Sequence, residues 1–213
     1  MINFIPIFPL GIVVFPEEVL NLHIFEPRYK QLANDCYAEA KPFGIPTVLE
    51  NGVNELGTLV EIVEIVEVYE DGKMDIRTKG VQVFKTLELV KSIPDKLYSG
   101  AIVQYPPNII SRNAALMSGI LPMVRELHKL LGVEKDFKKP DEELVSYDIA
   151  HHVGLPVNEE YELNSLLYEV QRLEYIRRHL QKILPIIADA ENLKHRIQLN
   201  GHFRELKGFN FDI

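Results

Sequence analysis

The stretch FPLGIVVFPEEVLNLHIFEPRYK, Phe8 to Lys30, decides the fold. It is apolar and β-branched enough for buried strands, yet Pro9, Pro16 and Pro27 cut through it. Proline cannot donate to a sheet ladder, so Ile5–Phe8 and Ile12–Phe15 are expected as edge strands, strand ends or bulged pieces. Leu20, Leu22 and Ile24 then alternate with Asn21 and His23, the pattern of a half-buried strand. At Pro27 the period changes. Proline suits the first turn of a helix, where its missing N–H costs nothing, and Leu32, Ala33, Cys36, Tyr37 and Ala40 fall on one helical face. Cys36 is therefore read as a small core residue rather than a nucleophile.

Outward from this stretch, FGIPTVLE from Phe43 reads as a strand. Gly57 to Val90 is ambiguous. Glu61, Glu64, Glu67 and Glu70 recur every third residue, as on the wet side of a helix, but Val60, Ile62, Val63, Ile65, Val66 and Val68 are β-branched. Asp71-Gly72 is a hairpin signal, which favours two long antiparallel strands. SGAIVQY adds another strand before Pro106-Pro107. Beyond them the pattern turns helical. A helix is expected over Ser111–Leu131 with a kink at Pro122, and a second over Asp141–Val153 with Asp141 as N-cap. A short third is capped by Asn158. A long fourth begins near Ser165 on the spine Val170, Leu173, Ile176, Leu180, Ile183, Ile187 and Leu193, with a kink or interruption at Pro185. Strands first and helices second mean an α+β chain, divided into a β-rich unit 1–107 and a helical unit 108–213.

Composition narrows the function. The 213 residues are 46% hydrophobic and 25% charged, with a net charge of −8, which suits a folded globular chain and disfavours nucleic acid. Leu166 to Ile213 holds 8 Lys and Arg against 6 Asp and Glu, a bias read as a solvated helix face. A single cysteine gives neither a disulfide framework nor a Cys-based zinc set. The N-terminus lacks a basic region ahead of its apolar run and no run is long enough to span a bilayer, so a cytoplasmic location without membrane contact is expected.

No signature of chemistry emerges. Nucleotide-cradling, nucleophile-elbow and zinc-helix motifs are absent. His151 and His152 are adjacent, roughly 100° apart on a helix, and poorly placed to share a metal. His128, His179, His195 and His202 are expected at the surface or at helix ends, and His23 as a strand residue with its polar tip satisfied. Glu26 and Arg28 sit at a strand-to-helix corner. They are read as a joint, with Tyr29 packed beneath, because charge-assisted bonds can tie such a corner together. Phe15, Phe25 and Tyr29 are expected in the core. The sequence implies no catalytic, cofactor-binding or metal-ligating residue, and no cofactor.

Together, Pro6, Phe8-Pro9-Leu10, Val14-Phe15-Pro16 and Ile24-Phe25-Glu26-Pro27-Arg28-Tyr29 resemble the opening motif of the Lon protease N-terminal domain family. Phe43-Gly44, Gly57-Thr58, Asp71-Gly72 and Thr78-Lys79-Gly80 resemble its later markers. One position departs, for Glu17 stands where the family often has glycine. The resemblance implies a PUA-like pseudo-barrel of mostly antiparallel strands with one helix, then a helical subdomain ending in a long helix. It also implies a stand-alone, non-catalytic substrate-binding domain for unfolded or damaged polypeptides, serving a separate AAA+ protease, without the ATPase and Ser-Lys protease domains. Two other readings remain. One is a PUA-like RNA-binding module; the other is an enzyme on a small substrate, which needs a pocket joining His23, Glu26 and Arg28.

Overall fold

The computed structural model describes residues 2–205, with side chains to Leu199. Six strands form one sheet: β1 (Ile2–Pro6), β2 (Val19–Ile24), β3 (Phe43–Leu49), β4 (Gly52–Val68), β5 (Met74–Val90) and β6 (Gly100–Gln104). The order is β1-β6-β5-β4-β3, with β2 added to β5. Every strand pair is antiparallel. The two ends of the path meet through parallel bridges, Ile7 to Gly44 and Leu10 to Thr47. There the Phe8 N–H donates to the Gly44 carbonyl (2.8 Å) and the Val48 N–H to that of Leu10 (2.7 Å). This closes the sheet on itself, and the first helix, α1 (Pro27–Ala38), packs its Leu32, Ala33 and Cys36 against Ile24, Met74 and Ile76.

The ambiguous segment is indeed two long strands, and its three-residue period has a physical cause. Two of the three β4–β5 register shifts fall on the β4 side of this segment, between Ile62 and Glu64 and between Ile65 and Glu67. Each bulge inserts one residue, Val63 or Val66, and turns a two-residue alternation into a three-residue repeat. Glu61, Glu64 and Glu67 therefore share a face opposite Lys79, Arg77 and Asp75. Both bulged valines are about half exposed. The hairpin turns at Gly72, whose φ of +74° lies in the left-handed region.

The run Ile12–Phe15, expected as a strand, is not one. It is extended but lies between two cores. Val13 and Phe15 enter the helical cluster, while Val14 enters the cluster under α1. Side chains satisfy its backbone instead of a ladder: the Thr58 hydroxyl donates to the Val14 carbonyl, and the Phe15 N–H donates to Glu18 Oε2 (2.8 Å). Likewise the first strand ends at Pro6, and Ile7 contributes only an isolated bridge.

Helices follow, with α2 (Ala114–Leu131), α3 (Ser146–Ile149), α4 (Val157–Ser165) and α5 (Glu169–Glu205). Asn113, two residues later than the expected start, caps α2 by accepting from the Leu116 N–H, and Gly132 ends it in the left-handed conformation. The helix expected over Asp141–Val153 is instead two short 3₁₀ turns flanking α3. Asp141 spends its carboxylate on Arg125, with both oxygens at 2.7 Å, and does not cap a long helix. Asn158 is inside the first turn of α4, since Pro156 holds the N-cap position. Neither Pro122 nor Pro185 interrupts its helix. The α5 spine is buried from Leu173 through Leu180 and Leu184, but Val170 and Leu193 are about half exposed.

Candidate functional site

The opening motif divides between holding the fold and facing solvent. Phe15 is fully buried and stacks on Tyr147 (5.1 Å between centroids). The turn that follows docks against β5: the Glu17 N–H donates to the Gly80 carbonyl (2.9 Å), and the Gly80 N–H to that of Glu18 (2.8 Å). A side chain at Gly80 would lie 2.1 Å from the Phe15 carbonyl oxygen, so this approach requires glycine. Glu17 has φ +68°, which explains why glycine is favoured there. Its carboxylate pairs with Lys79 at 2.6 Å.

At the strand-to-helix corner, Arg28 pairs with Glu26 Oε2, Nε at 2.9 Å and Nη2 at 2.8 Å. The guanidinium lies 4.5 Å above the Tyr29 ring, which stacks on Phe8 at 3.8 Å. Burial raises the Tyr29 phenol above its usual range. Pro27 is at the first helical position. The ion pair is largely exposed, while Tyr29 and Phe8 are buried beneath it. Pro9, Leu10 and Pro16 lead the chain past β3 and into the Glu17 turn.

His23 is not part of this corner. Its Nδ1 meets Asp75 Oδ1 at 2.6 Å, and Asp75 also accepts from the Tyr69 hydroxyl (2.7 Å). Glu26 and Arg28 thus pair with each other while Asp75 holds His23, and the three do not form one cluster. Phe25, expected in the core, is 58% exposed. It follows β2 and packs only loosely on His23, 6.2 Å between ring centroids.

Cys36 is buried, and burial pushes its thiol up to about 12, the state of an inert core residue. Among the described residues no three His, Cys, Asp or Glu side chains are grouped to hold a metal. Three cations of α5, Arg177, Arg178 and Lys194, pair with Glu174 or Glu191 on the same helix. That fits a solvated face.

Four histidines of the helical part, His128, His151, His152 and His179, are built into its packing. His151 Nδ1 donates to Glu160 Oε1 (2.7 Å) and Nε2 to Glu18 Oε2 (3.1 Å), joining the opening turn to α4. Burial pushes the His151 imidazole down, but hydrogen bonds and charge from Glu160 and Glu18 outweigh it and set it at about 9. Burial and nearby cations push the neighbouring His152 down to about 4. His128 lies in the last turn of α2, a helix end as expected, whereas His179 lies inside α5; both are largely buried and donate to the carbonyls of His152 (2.9 Å) and Val153 (3.0 Å). His195 is exposed, and His202 lies outside the residues whose side chains are described.

The least expected residue is Arg172, fully buried beside Glu169. Its guanidinium reaches Ser146 Oγ, Asn108 Oδ1, Glu169 Oε2 and the carbonyls of Leu166 and Ile109, at 2.7 to 3.0 Å. All five N–H donors are thereby occupied. The Tyr147 ring lies beneath it at 4.3 Å, with Phe15 on the same ring.

The two outer edges of the arm made by β2, β5 and β4 differ. Beyond Val60 the outer edge of β4 pairs with no strand among the described residues, since β3 ends there at Phe43. That edge carries both bulges. β2 pairs with β5 alone, in unbroken register from Val19–Lys79 to Ile24–Met74. Its other edge pairs with no strand among the described residues and has neither proline, lysine nor bulge, and exposed Val19 and Phe25 flank it.

Residues 5–182 match the family model described as the ATP-dependent protease La (LON) substrate-binding domain. The fold is similar to the crystal structure of a Lon N-terminal domain protein from Xanthomonas campestris. The TM-score is 0.61 at 22% identity, over 83% of this chain and 98% of that one. It is also similar to the N-terminal domain of Mycobacterium avium complex Lon protease, with a TM-score of 0.50 at 12% identity, over 89% of this chain and 98% of that one. No curated protein sequence matches.

Proposed function

The chain belongs to the ATP-dependent protease La (LON) substrate-binding domain family, and from that premise we propose that it holds unfolded or damaged polypeptides by strand addition to β2. The observation that carries this reading is the open β2 edge. An extended client segment bonded to that edge would satisfy its outward backbone groups, and its apolar side chains would rest on Val19 and Phe25. The β4 edge, twisted by two bulges, is protected against the same pairing. In this reading stretch 1–107 grips the client, stretch 108–213 buttresses the grip, and a separate AAA+ protease in the cytoplasm receives the client. The protein itself cuts nothing.

The test is fluorescence anisotropy with a labelled, reduced and carboxymethylated polypeptide that cannot fold. Wild type is expected to bind it, and Val19→Lys with Phe25→Lys to weaken binding by about tenfold, since edge lysines oppose strand addition. An unchanged affinity in that variant removes β2 as the site. No binding by wild type, or strongly salt-dependent binding to structured RNA instead, removes the polypeptide reading.

A further inference from the structure

A cavity of about 190 Å³ opens beside the corner, between the chain leaving β1, the first turn of α1 and the end of β5. Ile7, Pro9, Tyr29, Val53, Leu89 and Val90 give it apolar walls, and its polar side chains are Arg28, Lys91 and Ser99. Ser99 is committed, its hydroxyl donating to the Lys91 carbonyl (3.1 Å). No carboxylate lines the cavity. Arg28 spends Nε and Nη2 on one oxygen of Glu26, which leaves Nη1 to donate elsewhere, and its plane is fixed against Tyr29. The Lys91 ammonium has no ion-pair partner among the described residues.

The lining therefore selects for an apolar body carrying a negative group. We propose that it takes the C-terminal residue of a client chain. The apolar side chain fills the cavity, and the terminal carboxylate meets Arg28 Nη1 and Lys91. One residue supplies both features only at a chain end, and the volume suits one large side chain. The exposed rim residues Val53 and Leu89 (40% and 41% exposed) give the preceding client residue an apolar surface to lie on. Carboxylate–guanidinium hydrogen bonds are charge-assisted and stronger than neutral ones. This inference rests on the polypeptide-binding reading and adds a preference for client chains with free, apolar ends.

The test uses labelled ten-residue peptides ending in leucine, one with a free carboxylate and one amidated. Wild type is expected to bind the free acid about tenfold more tightly. Arg28→Gln with Lys91→Gln is expected to lower the free acid to the level of the amide without moving the amide. Lys91→Gln alone, at an exposed position, is expected to remove part of the difference and covers any loss of folding in the double variant. Leu89→Asp is expected to weaken the free acid by several-fold. Equal binding of acid and amide to wild type overturns the inference. If the carboxymethylated polypeptide still binds in that case, strand addition to β2 stands on its own. Competition by N-acetyl-leucine as effective as the peptide itself assigns the cavity to a small acid and overturns the client terminus.

Discussion

Two glutamate–arginine pairs stand at helix starts in this molecule, and they do opposite work. Glu26 and Arg28 flank Pro27 at the head of α1, and their side chains are 39% and 52% exposed. Glu169 and Arg172 occupy the first turn of α5 and are fully buried. The first pair is screened by water, so it contributes little to stability and keeps a donor free for a ligand. The second is sealed between Asn108, Ile109 and α3, whose Tyr147 ring lies beneath it, with every donor engaged. Removing one member would leave an uncompensated charge in the interior. The opening motif connects to both, through Phe8 under Tyr29 and through Phe15 on Tyr147.

The contrast is broken or sharpened by substitution. Arg172→Ala is expected to cost about 3–5 kcal/mol in denaturant unfolding, because Glu169 is left buried and unpaired. A loss near that of a surface change would mean that water replaces the guanidinium. His151→Ala is expected to fall between the two pairs, at about 1–3 kcal/mol, because it strips the largely buried Glu160 of its partner. The pH dependence at His151 has a definite sign. With a folded value of about 9, above the ordinary value of 6.5, its stabilisation is complete below that ordinary value and fades as pH rises through 9. An NMR titration of the ring is expected to give a midpoint near 9, and a midpoint near 6.5 would show that neither carboxylate engages it. Arg28→Ala is expected to cost less than about 1 kcal/mol, and a larger loss would make the corner a structural clasp like the buried pair.

Much of this was legible in the sequence, and the failures have physical causes. Alternation at Leu20, Leu22 and Ile24 and the proline at position 27 located β2 and α1, because both signals are local. Val13, Val14 and Phe15 read as a strand because the run is apolar and β-branched, and in the structure their side chains do alternate, between two cores. What they lack is a ladder partner, and pairing is not a local property. The glutamates of β4 mimicked a helix because two bulges changed the strand's period. Arg172 was lost among the charges of a helix counted as solvated, since nothing in its neighbourhood along the chain announces the Asn108 and Ser146 that enclose it. Phe25 was placed in the core by its type, whereas β2 ends one residue earlier and leaves it in solvent. The candidate edge could not be read at all, because an edge is defined by the strand that is missing beside it.

Amide hydrogen exchange with and without a saturating unfolded polypeptide tests the central claim most directly. The account predicts that the client slows exchange of amides within Val19–Ile24 and leaves residues 61–68 of β4 unchanged. Protection along 61–68 instead, or none along β2 while the client is bound, would contradict it.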